Sequence, residues 1–192
     1  MQKILVTGFD PFGGETVNPA WEAVKQLPDQ LGEYAVHKLE IPTVFGLAAE
    51  RAIALAEAIS PDVILCIGQA GGRSAVTPER IAVNIRDGKI ADNAGFQPQG
   101  EPVTPEGPAA YFATVPVNDM VAAIQSKGIP SVASNSAGAF VCNDTLYALL
   151  HRYNGTQTRV GFIHVPYLPE QGSPSMPLAD IVQALTAAIC AL

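Results

Sequence analysis

Hydrophobic positions along this chain alternate between short apolar runs and helical spacing. Residues 3–7 (KILVT) form an apolar run that ends at Gly8, which predicts a buried strand. Asn18-Pro19 predicts a helix start, with Asn as N-cap and Pro in the first turn, and Trp21, Val24 and Leu27 share one face. Residues 34–41 read as a second strand. Residues 44–59 read as an Ala-rich helix that Ser60-Pro61 stops. The run at 62–68 (DVILCIG) is apolar on both faces, as in a parallel strand covered by helices on either side.

In the second half, residues 80–86 (RIAVNIR) alternate and predict a half-buried strand, and 111–115 predicts another short one. Residues 119–126 predict a helix closed by Gly128 and Pro130. A brief strand at 131–133, a helix at 139–153, a strand at 159–165 and a final helix at 177–192 follow. Strands and helices alternate throughout, and 192 residues fit a single domain over residues 1–192. Its expected form is a three-layer α/β/α sandwich around a mostly parallel, partly mixed sheet. The Gly- and Pro-rich stretch 87–107 departs from this rhythm and reads as a lid or subunit-contact loop.

Composition narrows the function classes. The net charge is −7 with no basic cluster, which argues against nucleic acid or anionic membranes as partners. No apolar run reaches the ~18 residues of a membrane span, and the apolar stretch after Lys3 is too short for a signal-peptide core. Three widely spaced cysteines (Cys66, Cys142, Cys190) without a C-x-x-C pair argue against a disulfide framework or a zinc site. A reducing cytoplasm and a chain without cofactor or metal are the expectation. Charged residues make up 15 %, below the roughly 25 % typical of soluble domains. That deficit fits extensive burial of elements against one another or against further subunits.

Cys142 follows a small polar cluster, 134–138, that separates strand from helix and places the thiol near the helix's first turn. There the free N–H groups and the dipole favour a thiolate and can stabilise an oxyanion. The spacing of Cys142, Leu146, Leu149 and Tyr153 also fits an ordinary core face. Cys66, in an all-apolar run, and Cys190, in the last helix, read as packing residues. His164 stands at the carboxyl end of a strand, where ligands collect in open α/β sheets. His37 and His151 read as structural or solvated. Glu79 precedes a strand and is a candidate to orient an imidazole; Asp92 and Asp144 compete, and spacing does not separate them. Gly-rich turns at 8–14 and 68–73 follow strands but lack G-x-G-x-x-G or P-loop spacing. Phe9 and Phe12 in the first turn suit a flat, uncharged ligand better than a phosphate.

Five blocks in order, GFDPFGGETVNPAWEAV from Gly8, GQAGGR from Gly68, TPERIAVN from Thr77, SNSAGAFVCN from Ser134 and GFIHVPYLPEQ from Gly161, resemble the pyroglutamyl-peptidase I (pyrrolidone-carboxylate peptidase) family of cysteine peptidases. The resemblance implies removal of an amino-terminal pyroglutamyl (5-oxoprolyl) residue from peptides, without metal. It implies Cys142 as nucleophile, His164 as general base and Glu79 as the orienting carboxylate. It also implies a lactam pocket lined by Phe9, Phe12 and Phe140, with groups near Gln69 and Val141 recognising the ring amide, and a homotetramer. One departure is Lys89, where the family commonly has arginine; lysine makes no bidentate contact. Two rival readings are a phosphate-dependent, nucleoside phosphorylase-like enzyme, for which Arg73 is the only nearby cation, and an inactive binding module that keeps the lactam pocket.

Overall fold

Segments apolar on both faces occupy the middle of one sheet. In the computed structural model, which describes residues 1–192, the chain forms β1 (Gln2–Phe9), α1 (Pro19–Gln26), β2 (Gln30–Leu31), β3 (Tyr34–Ile41), α2 (Leu47–Ile59), β4 (Val63–Gln69), β5 (Thr77–Pro78), β6 (Ile81–Val83), β7 (Arg86–Asp87), β8 (Gln99–Glu101), β9 (Ala110–Phe112), α3 (Val117–Gln125), α4 (Val141–Arg152), β10 (Arg159–Val165) and α5 (Leu178–Ile189). The main sheet has the order β2-β3-β1-β4-β10-β5. Its four central strands run parallel, and the short edge strands β2 and β5 are antiparallel. Parallel strands need long crossovers, which α1, α2 and the 70–158 segment supply.

Alternation along the strands divides the interior into two layers. Ile4, Val6, Leu65, Ile67, Ile163 and Val165 face α1, α3 and α5. Leu5, Ile64, Cys66 and Phe162 face the opposite side, against α2 and α4. This is the expected α/β/α arrangement. Asn18 caps α1 as its position predicts: its side chain accepts the Ala20 N–H at 3.0 Å and donates to the Asp10 carbonyl at 3.0 Å. Helix α2 begins three residues later than the periodicity suggests, because Gly46 has φ +74°, outside helical space.

Three expectations need correction. The alternating segment 80–86 is not one strand: Ile81–Val83 pairs with β9, while Arg86–Asp87 pairs with β8. The side chain of Asn143 accepts the Val83 N–H and donates to the carbonyls of Val83 and Ile85, so a helix satisfies backbone groups that a strand partner would otherwise take. Residues 131–133 form only an isolated bridge, Val76 to Ser131, and Glu79 is bridged separately to Ser134. The stretch 87–107, read as a lid or subunit-contact loop, holds β8 and is fastened by Asp92, which accepts N–H groups from Phe45, Ala94 and Phe96. Cys190 is not a core residue but the exposed C-cap of α5. No helix is long and apolar enough to cross a membrane.

Asn18 is buried and satisfies groups on both sides of the turn. Asn18→Ala is expected to cost about 1–2 kcal/mol. Urea denaturation would read this as a lower midpoint with an unchanged slope.

Candidate active site

The site is built at the carboxyl ends of β4 and β10, where the sheet register fixes two residues side by side. His164 pairs with Gly68, and Val165 with Gln69. Residues paired across neighbouring strands lie about 4.8 Å apart and project to the same face. Gly68 has no side chain, and a Cβ there would come within 2.9 Å of Cys142 Sγ and 2.7 Å of Phe162 Cζ. The sulfur therefore rests over bare backbone, one strand away from the imidazole and on the same face of the sheet. The ring of Phe162 underlies the imidazole, with centroids 4.7 Å apart.

Cys142 is the second residue of α4, after Phe140 as N-cap and Val141. The N–H groups of this first turn have no helical carbonyl partner. The loop before it is shaped by short polar contacts. The Ser134 hydroxyl accepts the Ser136 N–H at 3.3 Å, the Ser136 hydroxyl accepts the Gly138 N–H at 3.2 Å, and Gly138 takes φ +76°. Two polar residues just past the cysteine then pin the helix. Asn143 is fully buried and bonded as described, and the Asp144 carboxylate accepts from Arg86 and from the Gly46 N–H at 2.8 Å. Asp144 and Asp92 are thus committed elsewhere, and neither meets an imidazole.

Glu79 does. Its Oε1 accepts from His164 Nδ1 at 2.7 Å and from an Arg73 guanidinium N–H at 2.7 Å. The carboxylate is fully buried and His164 is nearly so. Burial pushes the Glu79 pKa up, but the hydrogen bond and charge of His164, with Arg73, more than offset it and leave it below the ordinary carboxylate range. For His164, burial is the main effect and holds the imidazole below its ordinary value against the pull of Glu79; Arg73 adds to the lowering. The pair therefore rests as carboxylate and neutral imidazole. An ionised Oε1 can only accept, so the ring proton sits on Nδ1 and leaves Nε2 as the free base.

The thiol departs from expectation. The amides of the first turn favour a thiolate, yet burial, and after it the negative charge of Glu79, push the Cys142 pKa up to about 12. The residue keeps some solvent contact, but atoms packed around the sulfur outweigh the lowering by the Arg73 charge and a backbone hydrogen bond. Cys66, wholly buried in β4, is likewise pushed up to about 12 by burial. The unliganded site thus holds thiol and neutral imidazole rather than an ion pair.

Aromatic rings form one wall. Phe12 packs on Phe140 at 5.9 Å between centroids, Phe140 meets Phe45 edge-on at 5.2 Å, and Phe45 meets Phe96 at 5.9 Å. Phe9 lies deeper, fully buried against Phe162 at 6.2 Å, and supports the wall rather than facing a ligand. Gln69 accepts from the Gln171 amide at 3.0 Å, which ties the end of β4 to the loop after β10. Phe45, Phe96 and Asn143 were not singled out from sequence, and Arg73 was weighed only as a phosphate ligand. The one available signal was the polar pair Asn143-Asp144 just ahead of the apolar run 146–150. His37 is half-buried on β3, and His151 is bound to the Tyr111 hydroxyl at 2.9 Å. Lys89 is exposed and makes no ion pair; Arg86 supplies the cation for this region. No group of three or more His, Cys, Asp and Glu side chains gathers in a metal-binding arrangement.

A sequence model described as pyroglutamyl peptidase matches residues 2–192. The chain is 54 % identical to the pyrrolidone-carboxylate peptidase of Levilactobacillus brevis, over 99 % of this chain and 97 % of that protein. Its fold is similar to the crystal structure of Bacillus amyloliquefaciens pyroglutamyl peptidase I, with TM-score 0.96 and 44 % identity, covering 100 % of this chain and 96 % of that one. The pyrrolidone carboxyl peptidase of Thermococcus litoralis gives 0.95 at 36 % identity, over 100 % and 93 % of the two chains.

Because its pKa is raised, Cys142 carries less thiolate at neutral pH than an ordinary cysteine and gains it only as pH climbs. In the unliganded protein, iodoacetamide labelling of Cys142, mapped by peptide mass, is expected to keep rising above pH 9. A plateau near neutral pH would show that the helix amides win instead.

Proposed function

This chain belongs to the pyroglutamyl peptidase family, enzymes that hydrolyse pyroglutamyl peptides, and we propose that it removes an amino-terminal pyroglutamyl residue through a thioester on Cys142. The observation that carries this reading is the convergence of the Cys142 sulfur and the His164–Glu79 pair on the backbone of Gly68.

In the proposed reaction, His164 Nε2 takes the thiol proton as the sulfur attacks the pyroglutamyl carbonyl. With thiol and base both resting neutral, proton removal accompanies attack, which is general-base catalysis. The oxyanion faces the N–H groups of the first turn of α4. Collapse breaks the peptide C–N bond, and the imidazolium returns its proton to the departing amine. Water, deprotonated by the same imidazole, then cleaves the thioester, releasing pyroglutamate and restoring the thiol. Glu79 accepts from Nδ1–H throughout, holding the tautomer and stabilising the transient imidazolium.

The lactam has no charged amine, so a site selective for it needs flat apolar walls and a few amide hydrogen bonds. Phe12 and Phe140 offer the walls; polar groups at Gln69 and backbone at Val141 are placed to read the ring amide. A charged amino terminus brought there would lose its water without gaining a carboxylate partner, which disfavours ordinary peptides. The phosphate-dependent rival loses its cation, since Arg73 is engaged by Glu79. We further propose one catalytic domain over residues 1–192 in a reducing cytoplasm, where its free thiols persist. A homotetramer is proposed as well, on the low charged fraction and the exposure of Phe112 and Val132. Sedimentation at four times 20.1 kDa tests the tetramer.

Purified protein is expected to release the chromophore from a pyroglutamyl-amide reporter and to leave the corresponding free-amine prolyl reporter intact. Cys142→Ala and His164→Ala should each lower kcat by about 10³-fold or more, while Cys66→Ser and Cys190→Ser stay active. Retained turnover in Cys142→Ala would end the assignment. Glu79→Gln, which can donate to Nδ1 and so favours the wrong tautomer, should cost on the order of 10²–10⁴-fold in kcat.

A further inference from the structure

We infer that Arg73 is a positioning residue for the His164–Glu79 pair, holding the buried carboxylate ionised and in place so that the imidazole stays neutral and correctly oriented. The inference rests on the reading of His164 as general base. Arg73 lies in the Gly-rich turn after β4. One guanidinium nitrogen donates to Glu79 Oε1 at 2.7 Å and also to the Thr77 hydroxyl, and the other donates to the Ser136 carbonyl at 3.0 Å. These contacts tie together the β4 turn, β5 and the loop that leads into α4. They are the three segments that deliver Gly68, Glu79 and Cys142.

The charge balance of the site gives this contact its weight. Glu79 is fully buried, and its Oε2 has no hydrogen-bond partner; the Ser134 hydroxyl, on the residue bridged to Glu79, donates to the Ser136 carbonyl instead. With the imidazole neutral, Arg73 is the only cation on the carboxylate. A buried carboxylate without a partner cation either takes up a proton or draws the charge onto its other neighbour. Here that neighbour is His164, so loss of Arg73 would leave the imidazole protonated over a wider pH range and useless as a base. The ionisable groups facing His164 are Glu79 before β6, Arg73 in the β4 turn and Cys142 on α4, with Cys66 of β4 beyond the sulfur. Glu79 pulls the imidazole pKa up and Arg73 pushes it down, so removing the guanidinium raises it.

Arg73 is also reachable. Its side chain is 30 % exposed and lines the largest cavity of the molecule, about 570 Å³, open to solvent and walled by Thr77, Ser134 and Ser136 among others. That cavity lies on the outer side of the Arg73–Glu79 contact, and neither Cys142 nor His164 lines it. It can admit a small planar cation without obstructing the catalytic face.

The test uses the full chain. In Arg73→Ala, kcat on the pyroglutamyl reporter is expected to fall on the order of tenfold to a hundredfold, part of the ~10²–10⁴ a positioned base contributes. KM should change little, and the acid limb of the kcat profile should move to higher pH. Low millimolar guanidinium chloride, well below denaturing concentrations, should restore part of kcat to Arg73→Ala and none to Glu79→Gln. Arg73→Lys should keep the acid limb near its wild-type position, because a point charge remains. NMR titration of the His164 ring protons, which needs no turnover, should show a higher midpoint in Arg73→Ala than in wild type. Equal midpoints would overturn the inference, as would a kcat loss without a displaced acid limb or guanidinium rescue. Absence of reporter cleavage by the wild-type chain would instead overturn the proposed function and leave the NMR comparison to judge Arg73.

Discussion

The sulfur of Cys142 lies against the backbone of Gly68, and Gly68 is in register with His164 on the adjoining strand. Much of the architecture serves this contact. Parallel pairing of β4 with β10 brings the glycine and the histidine to one level of the sheet, and the helix start of α4 lowers the cysteine onto the gap that the glycine leaves. A side chain at position 68 would meet both the sulfur and the ring of Phe162. Neither can yield cheaply, because Phe162 is fully buried and α4 is pinned through Asn143 and Asp144. Two central strands, one helix end and two buried polar side chains thus set a single separation.

Electrostatics at the site follow from the same burial. Desolvation raises the thiol and lowers the imidazole, so both partners rest uncharged, while Glu79 keeps its charge through its hydrogen-bonded neighbours. In the proposed reaction, the helix amides receive charge that develops on the substrate oxygen rather than maintain a standing thiolate. That arrangement spends their field on the transition state rather than on the resting enzyme. In the proposed reaction the aromatic wall adds selectivity of a different kind, since rings from four separate segments meet there and Asp92 fastens the segment that carries Phe96.

Much of the sheet was legible from local pattern. The bounds of β3 and β10 coincide with the strands read at 34–41 and 159–165, and β10, buried almost throughout on both faces, leaves an unbroken apolar signal. The segment 80–86 was misread because alternation records which side chains are buried, not what satisfies the backbone. Asn143, some sixty residues away, takes the hydrogen bonds there. Residues 131–133 failed as a strand for a related reason: isolated bridges to Val76 and Glu79 serve to position a loop, not to extend a ladder. Cys142 at a helix mouth and His164 at a strand end were each visible as candidates, since both follow from element boundaries.

The sequence by itself determined the alternation of elements, the mostly parallel sheet, the placement of the thiol in a helix's first turn and, through motif resemblance, the chemistry to expect. These rest on local periodicity and capping, which short stretches of chain encode. Tertiary structure alone decided which carboxylate meets the imidazole, leaving Asp92 and Asp144 to other partners. It also turned Arg73 from a possible phosphate ligand into the counter-ion of Glu79, and it made the resting thiol neutral. Those outcomes depend on burial and on distances between segments far apart in the chain, and no local pattern carries either quantity.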